Sequence, residues 1–378
     1  MTDIPPPADT SSASAKKPRA PFSTFLPLIG VIVIMLAYTA YWFAVSGTFR
    51  DRIEAFAAES RGGDVLAEWT TLSMEGYPYR IAAAFTAPHV TAPRTPENWS
   101  WTAAGLEADV MPYNLRHIVL KVDGEQILQY NDTRGPAPLR HTIHAKAEGT
   151  WASYVAIKGV PFGRLAIDVN KLVARHDGGT GLDPTSQGEH LTAERLQLHV
   201  RPAEDTNASG ITLPGSYDFA LQGNNVAVSA IGPAQVLGTH IELFTMQARL
   251  RDVTDEKSAS PARLAKAWMR DGGRLTVSDL QIKWGPLDLW AQGNLALDDE
   301  ARPAGNLDAE IRDYPALVQA LVNQGIIRAQ DAKIAQVGLG LVAQMQGKND
   351  GAIAVPVVMK DGKLFLGPLV VARLDPLF

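Results

Sequence analysis

Hydrophobic positions along this chain come in three rhythms: an unbroken apolar run, a short helical spacing, and then a long series of alternations. Residues 1–20, MTDIPPPADTSSASAKKPRA, show no apolar periodicity and are rich in Pro, Ser and Ala, which predicts a disordered tail. PFSTFLPLIGVIVIMLAYTAYWFAVSGT follows, uncharged from Pro21 to Thr48. A bilayer core of about 30 Å needs roughly 20 apolar residues of helix. Residues 25–45 supply them, so a transmembrane helix is predicted over 21–48. Tyr38, Tyr41, Trp42 and Phe43 crowd its far end, as an interfacial aromatic belt does. A cleaved signal peptide, with Ala44-Val45-Ser46 as its cleavage site, would use a shorter apolar core of about 7–15 residues. Lys16, Lys17 and Arg19 precede the run and no acid lies between Asp9 and it, which favours a cytoplasmic N-terminus and an exported remainder.

Beyond the run, Ile53, Phe56, Ala57, Val65, Leu66 and Trp69 follow a helical spacing, which predicts a connecting helix within 49–75, broken or kinked at Gly62-Gly63. From Tyr77 the period becomes two. RIAAAFTA, WSWTAAGLEADV, GRLAIDVN, ERLQLHV, SYDFALQG and THIELFTMQARL all alternate, and Gly, Pro, Asn or Asp bound them. HIVLKVDGEQILQY reads as a hairpin turning at Asp123-Gly124, and Asp361-Gly362 as another. Helices are predicted at 260–269, where Ser260 and Pro261 form an N-cap and first-turn proline, at 314–323 and at 330–345. The expected fold is mainly β with a few helices (α+β). One N-terminal transmembrane helix leads into a large antiparallel, curled β-sheet domain over 76–378. The polar stretch RPAEDTNASG at 201–210 is where two β units would divide.

Composition narrows the chemistry. A net charge of −5 argues against nucleic acid as a partner. With no cysteine, disulfides, Cys-ligated zinc, iron–sulfur clusters and thiol nucleophiles are excluded. The stretch WGPLDLWAQGNLALDDEARPAGN at 284–306 holds Gly285, Gly293 and Gly305, but neither of the phosphate-loop spacings. It reads as strand–QGN–strand, with Asp298, Asp299 and Glu300 as turn residues rather than a cation site. His141 and His144 fall on opposite faces of a strand and are expected as surface or edge histidines rather than a metal pair. RHDGGTGLD at 175–183 lacks the spacing of a calcium loop and is expected to be a plain loop. No catalytic, cofactor or metal residue is assigned. The residues that carry information are apolar. Phe85, Trp101, Leu120, Ile167, Trp284, Leu289 and Leu366 mark one sheet face as groove or as core, and alternation does not separate the two.

GYPYRI at 76–81, WSWTAAGLEADVMPYNLRHIVL at 99–120, WGPLDLWAQGNLAL and the terminal DGKLFLGPL together resemble a bacterial, largely alphaproteobacterial family of membrane-anchored proteins, the domain of unknown function numbered 2125. That resemblance carries no catalytic residues. The pattern at 286–306 is more loosely similar to AsmA-type envelope proteins, which implies anchoring by an N-terminal helix and a part in lipid traffic. The expectation is a non-catalytic, single-pass protein of the bacterial inner membrane with a periplasmic domain and no cofactor. Its partner would be phospholipid or another lipid held in an apolar groove. A scaffold recruiting envelope proteins through a β edge is the alternative, and a membrane-anchored hydrolase a third.

Overall fold

The computed structural model describes residues 25–135, 137–177, 189–203, 215–229, 233–253, 260–346, 352–367 and 369–377. Helix α1 (Leu26–Ser60) is continuous over 35 residues. The transmembrane and connecting helices expected separately are therefore one helix. It stops well short of residue 75, because Gly62-Gly63 ends it and β1 (Leu66–Glu68) and β2 (Thr71–Glu75) follow. The Arg94 guanidinium closes the helix end, donating to the carbonyls of Gly62 at 2.8 Å and Gly63 at 2.6 Å, where the helix dipole favours a cation. From Leu26 to Tyr38 every side chain is exposed. From Thr39 onward one stripe, through Trp42, Ser46, Phe49, Ile53, Ala57 and Ser60, is covered by the β domain.

Among the described residues, that domain is one antiparallel sheet of eighteen strands. It begins with β3 (Ile81–Thr86), β4 (His89–Ala92), β5 (Trp99–Met111) and β6 (Asn114–Asp132). Next come β7 (Leu139–Lys146), β8 (Gly149–Val155), β9 (Arg164–Asp177), β10 (Glu189–Pro202) and β11 (Tyr217–Val228). The short α2 (Ala234–Leu237) precedes β12 (His240–Arg251), and α3 (Pro261–Arg270) separates it from β13 (Arg274–Trp284). Then follow β14 (Leu287–Leu297), β15 (Pro303–Arg312), α4 (Tyr314–Asn323) and α5 (Ala329–Met345). The last strands are β16 (Ile353–Lys360), β17 (Lys363–Leu366) and β18 (Leu369–Arg373). Pairing follows chain order. β3 and β4 both lie along β5, and β7 and β8 both lie along β6 and β9. β10 pairs directly with β9 and β11, so the sheet runs unbroken past the 201–210 stretch, of which 204–210 lie outside the described residues.

Two expected turns are strand interiors. Asp123-Gly124 does not form a hairpin. β6 continues through it, with Asp123 opposite Gly105, and Gly124 adopts φ +79° beside the Ala104 side chain. The Asp-Gly pair is used as a bulge, which also needs a left-handed residue. Ala87, Lys171 and Asn225 adopt φ near +50°. They align with Gly124 through the Ala87–Ala104 hydrogen bond, the Lys171–Glu148 ion pair and the Asn225–Glu194 hydrogen bond. At this seam the apolar series shifts by one residue. In β9 it runs Leu165, Ile167, Val169 and then Leu172, Ala174, His176.

The QGN turn is likewise absent. β14 is one strand, and the true turn is Asp298–Ala301, with Arg302 donating to both carboxylate oxygens of Asp298. Gly293 faces Leu307 and Gly305 faces Leu295 across the β14–β15 ladder. A Cβ on either glycine would collide with a backbone carbonyl of the other strand. Asp361-Gly362 does form the expected turn, both residues having positive φ. Gly293→Ala should therefore cost about 1–3 kcal/mol through overpacking against backbone. Gly223→Ala, which meets only the side chains of Val226 and Leu196, should cost less. Urea unfolding of the two variants tests the order.

Candidate functional site

Cross-strand register places apolar residues in lateral rows. One row passes from Leu120 to Ala152, Ile167, Leu198, Leu221 and Met246. It continues through Leu280 and Ala291 to Ala309. Leu120 and Ile167, named from alternation alone, are thus linked through Ala152. The neighbouring row contains Phe85, Leu106 and Val122 at one end and Ile282, Leu289 and Ile311 at the other. Burial along the first row is uneven. Its side chains are half-buried from β6 to β13 and fully buried at Ala291 and Ala309. The same apolar surface is open on one part of the sheet and packed on the other.

The packed part explains two of the marked residues. Leu289 and Leu366 lie in a core with Ile311, Leu317 and Ile353, beneath α4 and α5. Phe85 meets Trp69 edge to face at 5.1 Å. Trp101 donates to Gln126 at 3.3 Å. Trp284 instead lines a cavity of about 380 Å³ with Tyr130, Ile143, Leu191 and Val228. Tyr130 is shared with a larger cavity of about 1020 Å³. Trp99 and Leu128 line one side of that cavity, and Phe219, Leu250, Leu275 and Leu295 the other. Of its charged lining residues, Asp132 is bonded to Arg134, which holds its pKa at about 2, and Glu97 is bonded to α3.

These walls come from strands remote in the sheet, and twist brings them together. Six ladder steps separate β5 from β12, and at about 20–25° each they turn the strand direction by roughly 120–150°. As a result α3, which leaves the Arg251 end of β12, meets the Trp99 end of β5 rather than its Met111 end. Glu97 fastens the contact. Ser260 Oγ donates to Glu97 Oε1 at 2.7 Å and the Ala262 amide donates to the same oxygen at 3.2 Å. Ser260 also accepts from the Arg263 amide, so one serine caps the helix and holds the clasp. Trp268 lies against Gly273 and donates to the Arg251 carbonyl at 2.7 Å.

The opposite face of the sheet is polar. It holds a trough of about 870 Å³ lined by Arg164, Arg201, Arg249, Arg251, His117 and His199, with Asp218 as its acid. Arg249 and Arg201 hold the Asp218 pKa below the usual carboxylate value. His141 corrects the expectation of surface histidines, since it is 8% exposed. Tyr130 stacks on it and its Nδ1 lies 2.8 Å from His176 Nε2. His144 faces Glu125 on the other side, as strand alternation requires. Among the described residues no three His, Asp or Glu gather to hold a metal ion. Much of the loop at 175–183 lies outside the described residues.

Fold and concavities together define a rolled antiparallel sheet carried on one long apolar N-terminal helix. A family model described as "Uncharacterized protein conserved in bacteria (DUF2125)" matches residues 42–375, and the chain belongs to that family. No curated protein and no solved structure matches it.

The clasp is sensitive to acid. Burial raises the Glu97 pKa, but hydrogen bonds from Ser260, from its own backbone and from Ala262 and Thr95 lower it further, leaving it below the ordinary 4.5. A depressed carboxylate pKa lends stability that is complete above the unfolded value and lost as pH falls through the folded one. Amide protection at Ala262 and Arg263 should therefore fall below pH 4.5, and in Glu97→Gln should already be low at neutral pH. Hydrogen exchange read by mass spectrometry checks both.

Proposed function

We propose that this is a membrane-anchored, non-catalytic envelope protein whose rolled sheet holds a lipid chain in the cavity beneath α3. The domain would lie on the periplasmic side of a bacterial inner membrane, as the basic residues before the anchor favour. α1 is long and apolar enough to cross a bilayer. One observation carries the reading: apolar side chains of β5, β6 and β11–β14 converge on a space of about 1020 Å³ that no side chain of the described residues fills. Pockets holding small ligands commonly measure about 300–1,000 Å³ and are mostly apolar with a few placed polar groups. An acyl chain would gain about 0.8 kcal/mol for each methylene it buries there.

Full-length protein extracted in mild detergent should carry phospholipid in native mass spectra. Leu250→Trp and Leu295→Trp, which project bulk into the cavity, should lower lipid occupancy while circular dichroism and thermal melting show the fold retained. Lipid-free spectra of the unsubstituted protein, or unchanged occupancy in both folded variants, would overturn the proposal.

A further inference from the structure

Helix α1 leaves less free length than a bilayer requires. The side chains from Leu26 to Ala37 are all exposed, and these twelve residues span about 18 Å against a hydrocarbon core of about 30 Å. Even with every uncharged residue back to Pro21 added at helical rise, the total is only roughly 26 Å. The missing depth must come from the segment beginning at Tyr38, and that segment is already in contact with the β domain. Tyr38 donates to the Pro78 carbonyl at 2.5 Å, Tyr41 to the Pro112 carbonyl at 2.9 Å and Trp42 to the Arg80 carbonyl at 3.0 Å. Trp42 is 3% exposed, packed with Ile81 and Val110.

We propose that the two loops around these contacts, residues 76–80 and 111–114, are immersed in the bilayer surface from which α1 emerges, at headgroup and upper acyl depth. The proposal rests on reading α1 as a membrane span. Both loops are built alike, as Tyr77-Pro78-Tyr79 and Met111-Pro112-Tyr113. Tyr79 and Tyr113 are each 83% exposed, and Tyr77 and Met111 nearly half exposed. Large amphipathic rings placed so openly suit the interfacial zone, where an apolar body and a polar tip are both accommodated.

The backbone chemistry agrees. Away from water every unpaired peptide group costs several kcal/mol. Each proline has no N–H to satisfy, and each proline carbonyl accepts a tyrosine hydroxyl from α1. The charges beside the tips suit phosphate level: Arg80 is paired with Glu107 and Asp109, and Arg116 is exposed. The domain thus sits on the membrane rather than swinging from it, with α1 and the ends of β3, β5 and β6 as one rigid post.

The absence of cysteine allows single labels to be introduced without background. Nitroxides at Tyr79→Cys and Tyr113→Cys in the full-length protein, reconstituted in phosphatidylcholine–phosphatidylglycerol vesicles, report collision with oxygen against an aqueous nickel chelate. Ile34→Cys serves as the mid-span reference and Lys171→Cys as the aqueous one. Labels at 79 and 113 should favour oxygen far more than the label at 171 and approach the label at 34. Aqueous behaviour at both tips with a lipid-like Ile34 overturns the inference alone. An aqueous Ile34 overturns the membrane span, and the inference with it.

Discussion

The molecule depends on the twist of one uninterrupted backbone ladder. Neighbouring strands cannot lie flat for steric reasons, and each step rotates the next by about 20–25° in one sense. Over eighteen strands that rotation rolls the sheet until its early strands face its late ones. Trp99 and Leu128 come to oppose Leu275 and Leu295 because of this geometry. The left-handed positions at Gly124, Lys171 and Asn225 sharpen the roll and reset the alternation across it. Glu97 then secures the overlap by capping α3.

Packing follows from where helices are available to cover the apolar face. α4 and α5 lie over the β14–β17 end and produce a filled core of Ile311, Leu317 and Ile353. α1 covers Ile81 and Val110 at the other end. Over the strands between, α3 meets the sheet at one edge, and Leu250, Leu275 and Leu295 near it remain half-buried. One continuous apolar face is thus core at its two ends and around Ala248, Val277 and Leu307, and the cavity lies beside that middle cluster, beneath α3.

Much of this was legible in the sequence. The apolar run, the three longer helices after the anchor, the Ser260 cap and the Asp361-Gly362 turn all rest on local signals. What failed did so because the signal was local and the cause was not. Asp123-Gly124 carries hairpin chemistry, but a bulge needs the same left-handed residue, and only the partner strand decides between them. Gly293 reads as a turn, yet its lack of a side chain serves close approach to β15. Period two also hid the seam, since a phase shift of one residue reads as an interruption. Leu120 and Ile167 share one cross-strand row, whereas Leu289 and Leu366 could not be told from groove residues until α4 was in place. The cavity walls Trp99, Leu250 and Leu295 lie far apart in the chain, and the roll is what brings them together.

The central claim is that the space enclosed by the roll is a lipid site and not an unfilled core. Benzoylphenylalanine in place of Leu295, irradiated in intact cells before any extraction, tests it without detergent or added ligand. The account predicts that the crosslinked protein gains the mass of a phospholipid, and that the same probe at solvent-exposed Lys171 gains none. A protein adduct at Leu295, or an unmodified chain after efficient photolysis, would contradict it.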